Sequence, residues 1–213
     1  MSKLLILLLI TPFSWGSYLD ELISMAERGD SKAQALLGVK YDDGDGFPKN
    51  DSEAIKWYLK AANQGEVNAQ VFLGVKYDNG EGVAKNDEEA IRWYRKAADQ
   101  GLADAQYALA VRFDLGRGVQ QSSWEAARWY RLAAEQGDAD AQYELGRKHA
   151  EGDGASRSLA EALKWFRLSA QQGNTYAQYE LGRMLASGNA CEKDPENAIL
   201  WLKKATNGRN PAA

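Results

Sequence analysis

The sequence predicts an all-α fold, an α/α superhelical solenoid of five 36-residue helix-turn-helix repeats behind an N-terminal capping helix. Tryptophan recurs every 36 residues, at Trp57, Trp93, Trp129, Trp165 and Trp201. An Ala-Gln pair and a glycine recur with the same step. A fixed period of this size is typical of stacked repeats, in which each unit contacts mainly its neighbours.

The first 16 residues do not follow the repeat. Lys3 precedes the apolar run Leu4–Ile10, which Pro12 ends. Ser14 and Gly16 then place small residues before a candidate cleavage site. This order is typical of a secretory signal peptide, and the run is too short to span a bilayer. We therefore expect export to the periplasm or the extracellular space, without membrane insertion afterwards; the alternative is a buried N-terminal helix.

Residues 17–213 are predicted to form a single solenoid. Residues 18–28 end at a glycine in register with the repeats, but Glu21 replaces the tryptophan, which suits a capping helix with one face in water. Full repeats are expected at about 30–65, 66–101, 102–137, 138–173 and 174–208.

Each repeat is predicted to contain a helix A and a helix B. In the first repeat these are residues 31–41 and 51–64, whose constant positions fall on one helical face. Asn50 and Glu53 resemble a capping box for helix B, and Gly65 predicts a left-handed stop. The same signals recur in the later repeats.

Helix A contains an internal glycine in four of the five repeats, at Gly38, Gly74, Gly146 and Gly182. Such a glycine costs about 1 kcal/mol relative to alanine, so we expect helix B to approach closely at this position. Ala110, the next smallest residue, takes its place in the third repeat. The tryptophans are then expected to fill the space between neighbouring repeats.

Charge and composition argue against several classes of function. The net charge is −4 and there is no long basic run, which disfavours nucleic acid or anionic membrane as partner. Cys191 is the only cysteine, so it closes no intramolecular disulfide. The Asp42–Gly46 loop lacks the full calcium-binding pattern. Its acidic residues change from repeat to repeat while its glycines recur, which favours a role of the glycines in forming the turn. We expect no metal and no cofactor.

No catalytic constellation is evident. His149 occupies a position that holds an aromatic residue in three other repeats, so we expect a half-buried histidine with satisfied hydrogen bonds. A nucleophilic pair with Cys191 would need an orienting third group and an oxyanion site. We therefore expect no catalytic residues and no small-molecule substrate. The repeated glutamines favour hydrogen bonds that brace helix ends over a peptide-binding ladder.

Function is expected where the repeats differ along a shared face. Removing the core positions from helix A leaves rows that change from valine and aspartate to tyrosine and arginine along the chain. Tyrosine and arginine are enriched in binding hot spots. The predicted partner-binding surface comprises Val75, Val111, Asp78 and Asp114 towards the N-terminal end and Tyr107, Tyr143, Tyr179, Arg147 and Arg183 towards the C-terminal end. The alternative is that these tyrosines pack between helices and the arginines are solvated.

The motif A-x-A-Q-x-x-L-G-x-x-Y, then G-x-G-V-x-K-D, then A-I-x-W-Y-x-K-A-A-x-Q-G resembles the Sel-one-like repeat, a relative of the tetratricopeptide repeat. The resemblance covers nearly the whole chain after residue 28 and implies a superhelix with helix A on its concave side. It also implies a scaffold that binds another protein or peptide segment. Some members of the family carry a cysteine pair in every repeat, and this chain does not. The activities of that cysteine-rich branch are therefore not expected of this chain.

These observations favour an exported scaffold that grips a partner protein in a concave groove. A sharper version is an inhibitor or neutralising partner of an envelope enzyme or toxin. A different class, an envelope-polymer hydrolase, would need a pocket that gathers acids with His149. We expect the partner to present an acidic segment to Arg147 and Arg183, while Asp42, Asp78 and Asp114 repel it from the other end.

Overall fold

The chain folds into a row of α-helices, and a computed structural model describes residues 15–208 of it. That range contains eleven helices and no strand. They are α1 (Trp15–Glu27), α2 (Ser31–Asp43), α3 (Asp51–Asn63), α4 (Val67–Asn79), α5 (Asp87–Asp99), α6 (Ala103–Leu115), α7 (Ser123–Glu135), α8 (Ala139–Glu151), α9 (Leu159–Gln171), α10 (Thr175–Ser187) and α11 (Pro195–Gly208). None of these is long and apolar enough to cross a membrane.

The arrangement confirms the predicted all-α solenoid of paired helices. α1 is the capping helix, and the five pairs from α2/α3 to α10/α11 are the repeats, with helix A first in each pair. Each helix packs against the helices before and after it in the chain. Of the predicted signal peptide only Trp15 and Gly16 lie within the described residues, where they begin α1.

Helix B begins at a side-chain cap in every repeat, but only half of the predicted capping box forms. The Asn50 side chain accepts a hydrogen bond from the Glu53 amide at 3.1 Å. The Asn50 amide, which a capping box would give to Glu53, instead donates to the Tyr41 carbonyl at 2.8 Å. Glu53 pairs with Lys56 one turn ahead. The end of helix A therefore supplies the second half of the cap.

The glycine after helix B ends that helix as the sequence predicted. Gly65 has φ 91°, in the left-handed region, and the glycines at the same step, Gly29, Gly101, Gly137 and Gly173, share this conformation. The amide of Glu66 then reaches back to the Ala61 carbonyl at 3.1 Å. This closes a Schellman turn, which satisfies a carbonyl that the helix leaves free.

The internal glycine of helix A meets an aromatic ring of helix B in three repeats and Leu202 in the last, which confirms the predicted close approach. A Cβ atom added to Gly38 would lie 2.5 Å from Tyr58, and one added to Gly74 would lie 2.6 Å from Tyr94. The helix-B residue in this contact directly follows the repeated tryptophan. The residue after the tryptophan, and not the tryptophan itself, therefore occupies the space that the glycine leaves empty.

The tryptophans themselves lie between repeats, as predicted. Trp93 is buried and belongs to the same apolar cluster as Tyr58 of the preceding repeat and Leu73 of its own repeat. At the N-terminal end, Trp57 packs against the cluster of Leu22 on the capping helix and Leu37 on α2. Each tryptophan therefore joins its own repeat to the preceding unit.

Candidate functional site

The repeated glutamines are part of the framework and not of a binding site. Gln70 is buried, and its side-chain amide donates to the Ala62 carbonyl at 3.2 Å. Its side-chain oxygen accepts from Gln100 of the same repeat at 2.8 Å. The same pair of bonds recurs along the array. Because these groups satisfy one another, the structural interpretation of the glutamines is confirmed.

The predicted aspartates Asp78 and Asp114 also connect repeats. Asp78 forms an ion pair with Arg112, and Asp114 forms one with Lys148, in each case from one helix A to the next. Asp42 pairs with Lys76 in the same way. The three basic side chains are buried. The expectation that these aspartates repel a partner is wrong, because each carboxylate already faces a cation.

Sequence reasoning missed this ladder of ion pairs, although a signal for it exists. Each bonded pair is 34 residues apart, so the basic positions follow the same 36-residue step as the acids. At the last junction the cation position holds Met184 and the acid position holds Ala150. The row therefore changes from aspartate to alanine where the opposing residue changes from a cation to methionine, and no ligand is needed to explain the change.

Hydrogen bonds favour the charged form of the Lys148 ammonium despite its burial. Burial lowers the pKa of the Lys148 ammonium, but hydrogen bonds to Asp114 and Asp153 outweigh it, so the pKa is raised. The hydrogen bond between Lys148 and Asp153 lowers the pKa of the Asp153 carboxyl. A cation that is paired and hydrogen-bonded is the form in which a charge is tolerated in a protein interior.

A groove crosses the A helices at the C-terminal half of the array. It is a depression of about 410 Å³ that extends over α6, α8 and α10. Its walls are Tyr107, Asp140, Tyr143, Glu144, Arg147, Asn174 and Tyr176. We call it the tyrosine groove. It brings together three of the predicted site residues, Tyr107, Tyr143 and Arg147.

The tyrosines of the groove both pack and face its interior. The Tyr143 ring lies 5.7 Å from the Tyr176 ring and 5.9 Å from that of Phe166, measured between centroids. Tyr107 is half-buried, and burial raises its pKa to about 12. Its hydroxyl is therefore neutral at physiological pH and can both donate and accept hydrogen bonds. For these tyrosines the structure supports packing between helices, and partner binding stays a prediction.

The arginines of the predicted surface are ion-paired. Arg147 Nε lies 3.0 Å from Glu144 and its Nη1 lies 3.1 Å from Glu151. Arg183 Nε lies 3.2 Å from Glu180. The expected attraction for an acidic segment is therefore largely cancelled. The Glu-x-x-Arg spacing, which places two side chains on one helical face, could have predicted these pairs.

Other predicted residues lie outside the groove. Tyr179 and Arg183 are exposed on α10, Val75 is exposed on α4, and Val111 is half-buried against the core. Conversely, the sequence analysis did not single out Asp140, Glu144, Asn174 and Tyr176. Asn174 lies just before α10, while Asp140 and Tyr176 share the helix-A position of Lys32, from which no site residue was chosen.

A second pocket, of about 520 Å³, lies between α7 and the loop that follows α8. His149 is buried at its edge, where Nδ1 lies 3.0 Å from the Ser156 carbonyl and Nε2 lies 3.1 Å from Arg131. The residues that line this pocket include arginines but no aspartate or glutamate. The gathering of acids with His149 that a hydrolase would need is not found here.

Cys191 lies in the loop of the last repeat, where its thiol is near the Met184 carbonyl at 3.8 Å. The Asp42–Gly46 loop also has a structural explanation, since Asp45 pairs with Lys40. Within residues 15–208 no cluster of histidine, cysteine and acidic residues could hold a metal ion.

Comparison with known proteins gives consistent matches. The Sel1 repeat family matches five consecutive segments, residues 31–66, 67–102, 103–138, 139–174 and 175–210. These segments begin one residue after the predicted boundaries and follow the same period. A search of curated proteins gave no match.

Several solved structures are similar. A Sel1 repeat protein from Oxalobacter formigenes has a TM-score of 0.86 at 35% identity, over 92% of this chain and 81% of that one. The protective antigen c5321 of uropathogenic Escherichia coli, described as displaying an SLR fold, has a TM-score of 0.86 at 38% identity, over 89% of this chain. The match spans only 40% of the length of that antigen. The immunity protein Pa5087 of Pseudomonas aeruginosa shares the fold, with a TM-score of 0.50 at 22% identity over 91% of this chain and 74% of its own.

Proposed function

Because this chain belongs to the Sel1 repeat family, we propose that it is an exported scaffold that binds another protein through the tyrosine groove. Proteins of this family generally mediate protein–protein interaction. The observation that carries the proposal is the groove itself, where aromatic walls from three repeats converge on one depression. Rigid tyrosines with neutral hydroxyls suit the centre of a protein interface.

The chemistry of the groove favours a particular kind of segment. Tyr143 and Tyr176 offer adjacent ring faces for an apolar or aromatic side chain. Asp140 and Glu144 line the same depression. Glu144 pairs with Arg147, whereas Asp140 accepts a hydrogen bond from Asn174 at 2.8 Å and forms no ion pair among residues 15–208. A partner that places an amide or a basic group near Asp140 therefore complements the groove better than an acidic one does.

We propose that this scaffold has no chemistry of its own. His149 accepts a hydrogen bond from Arg131, so its free electron pair is not available to act as a general base. A neutralising role towards an envelope enzyme or toxin is a narrower form of the same proposal. The identity of the partner captured in the experiment below decides between a general scaffold and an inhibitor.

Site-specific photo-crosslinking in the native host tests the proposal. The photoreactive residue benzoylphenylalanine would replace Tyr176, which is an exposed aromatic residue at the groove. The matched control places it at Tyr18, an exposed tyrosine on the capping helix. We expect a discrete adduct with a partner protein from position 176 and none from position 18. No adduct at either position, or equal adducts at both, would contradict the proposal.

A further inference from the structure

The pocket beside His149 carries an inference that is independent of the tyrosine groove. It lies on the side of helix B, between α7 and the loop of residues 152–156. Two residues of the pocket are of types that no other repeat has at the equivalent position. Trp124 stands where the other repeats have Ser52, Glu88, Ala160 and Glu196. His149 stands where they have Tyr41, Tyr77, Phe113 and Leu185. The two residues belong to adjacent repeats and meet in one pocket, which distinguishes this junction from the others in the array.

The hydrogen bonds of His149 fix its state. A backbone carbonyl can only accept a hydrogen bond, so the nitrogen 3.0 Å from the Ser156 oxygen must carry the proton. A guanidinium can only donate, so the nitrogen 3.1 Å from Arg131 must offer its electron pair. His149 is therefore a neutral imidazole that orients the Arg131 side chain.

Arg131 is held by a neutral group and lacks an anionic partner. No carboxylate among residues 15–208 forms an ion pair with it, whereas its neighbour Arg128 pairs with Glu125 at 3.4 Å. Arg131 is half-buried, and the pocket contains both arginines without any acid in its lining. A partly desolvated guanidinium with free donors is well suited to bind a carboxylate in a bidentate manner.

The rest of the pocket supplies an apolar wall and space. Trp124 is 63% exposed, which is unusual for so large an apolar side chain. Ala127 lies one turn further along α7 and leaves room beside it. The facing wall is the loop around Gly154, and a Cβ atom there would lie 2.0 Å from the Ser123 carbonyl. The loop therefore sits directly on the start of α7 and presents no bulky side chain.

We propose that this pocket binds an acidic peptide segment, with a carboxylate on Arg131 and an adjacent apolar side chain on Trp124. His149 acts as a positioning residue because it holds the guanidinium towards the pocket. The charge requirement distinguishes this pocket from the tyrosine groove, whose walls carry acids. A partner could thus contact the two sides of the solenoid with segments of opposite character.

The test uses N-acetyl-Phe-Glu-amide as the probe and N-acetyl-Phe-Gln-amide as its uncharged match. Binding is followed by NMR through the indole N–H resonance of Trp124, which a Trp124→Phe variant assigns by its disappearance. We expect the acidic probe to shift this resonance in a saturable manner at millimolar concentration, and the uncharged probe to bind at least about tenfold more weakly.

Variants of the array provide matched controls. Arg131→Gln should weaken binding of the acidic probe at least about tenfold. Arg95→Gln, at the equivalent position one repeat earlier, removes the same charge and should leave the affinity unchanged. Arg95 lies over the Phe113 ring, 5.7 Å from its centroid, which shows that a phenylalanine is accommodated at the position of His149. His149→Phe should therefore fold and yet weaken binding severalfold.

Three results would overturn the proposal. Equal affinity for the two probes would remove the role of the carboxylate. Unchanged binding in Arg131→Gln would place the probe elsewhere, and an equal loss in Arg95→Gln would show only a general effect of charge. Failure of the acidic probe to shift the Trp124 resonance at any accessible concentration would equally reject the site.

Discussion

Ala190 is the one non-glycine residue with a positive φ, 66°, among residues 15–208. Its equivalents in the other four repeats are glycines, at Gly46, Gly82, Gly118 and Gly154. A left-handed conformation crowds the Cβ atom of an L-residue and costs roughly 1–2 kcal/mol. The last repeat therefore stores a small strain in its loop that the other repeats avoid.

Ala190→Gly should relieve this strain and stabilise the protein. The relief is partly offset because glycine has more freedom in the unfolded chain, so we expect a gain of about 0.5–1 kcal/mol in the free energy of unfolding. Chemical denaturation of the variant measures it. Gly154→Ala provides the contrast and should be strongly destabilising, because its Cβ would meet the Ser123 carbonyl. A neutral or destabilising Ala190→Gly would contradict the account of this loop.

The ion-pair ladder gives a second test at the residue scale. Lys148→Met copies Met184 at the next junction but leaves Asp114 and the more exposed Asp153 without their cation, so we expect a loss of about 3 kcal/mol. Adding Asp114→Ala copies Ala150 and should restore most of that loss, because an apolar pair can replace a buried ion pair at little cost. Denaturation midpoints of the single and double variants measure the difference. A double variant as unstable as the single one would show that the pair does not act as a unit.

At the scale of helices, the stacking order determines which elements matter most. The cluster of Trp129 on α7 includes Ala97 of the preceding repeat and Leu145 of the following one. Trp201 on α11 is only half-buried and packs against the last cluster, which lies before it. The covering of a tryptophan thus depends on its place in the array.

Trp129→Ala should therefore destabilise the protein more than Trp201→Ala. Truncation of a buried tryptophan costs roughly 3–5 kcal/mol, and the half-buried Trp201 should lose only about half of that. The two denaturant midpoints, measured under the same conditions, test the ranking. Equal losses or the reverse order would be incompatible with this stacking.

The elements were predictable because their signals are local. Asn50 and Gly65 mark the limits of α3 through backbone hydrogen bonds that lie within a few residues, so the sequence shows them directly. The ion pair between Arg112 and Asp78 was not predicted, because it joins helices of different repeats across 34 residues. The tyrosine groove was predicted only in part, because its outline depends on how three helices approach one another.

At the scale of the whole molecule, the repeats form one continuous stack with two sides. The tyrosine groove lies on the A helices, and the pocket of Trp124 and Arg131 lies on the side of helix B. The capping helix α1 covers the first repeat through Leu22 and Ala26. The proposed export depends on the residues before α1, which lie outside the described range.

Export should be visible at the N-terminus of the protein in its native host. The charged, apolar and small-residue order from Lys3 to Gly16 favours cleavage by a signal peptidase. We expect protein sequencing to find the mature N-terminus at Ser17 or within a few residues of it. A chain recovered with Met1 intact would contradict export by this route.

The central claim is that a partner protein binds in the tyrosine groove, and the affinity of a groove variant tests it most directly. The variant combines Tyr143→Ala with Tyr176→Ala, and the control is Tyr18→Ala on the capping helix; both are first checked for unchanged helicity. Loss of a binding hot spot typically costs at least about 2 kcal/mol, so the affinity for the crosslinked partner should fall at least about thirtyfold in the groove variant. The control should bind like the unaltered protein. Unchanged affinity in a correctly folded groove variant would contradict the claim.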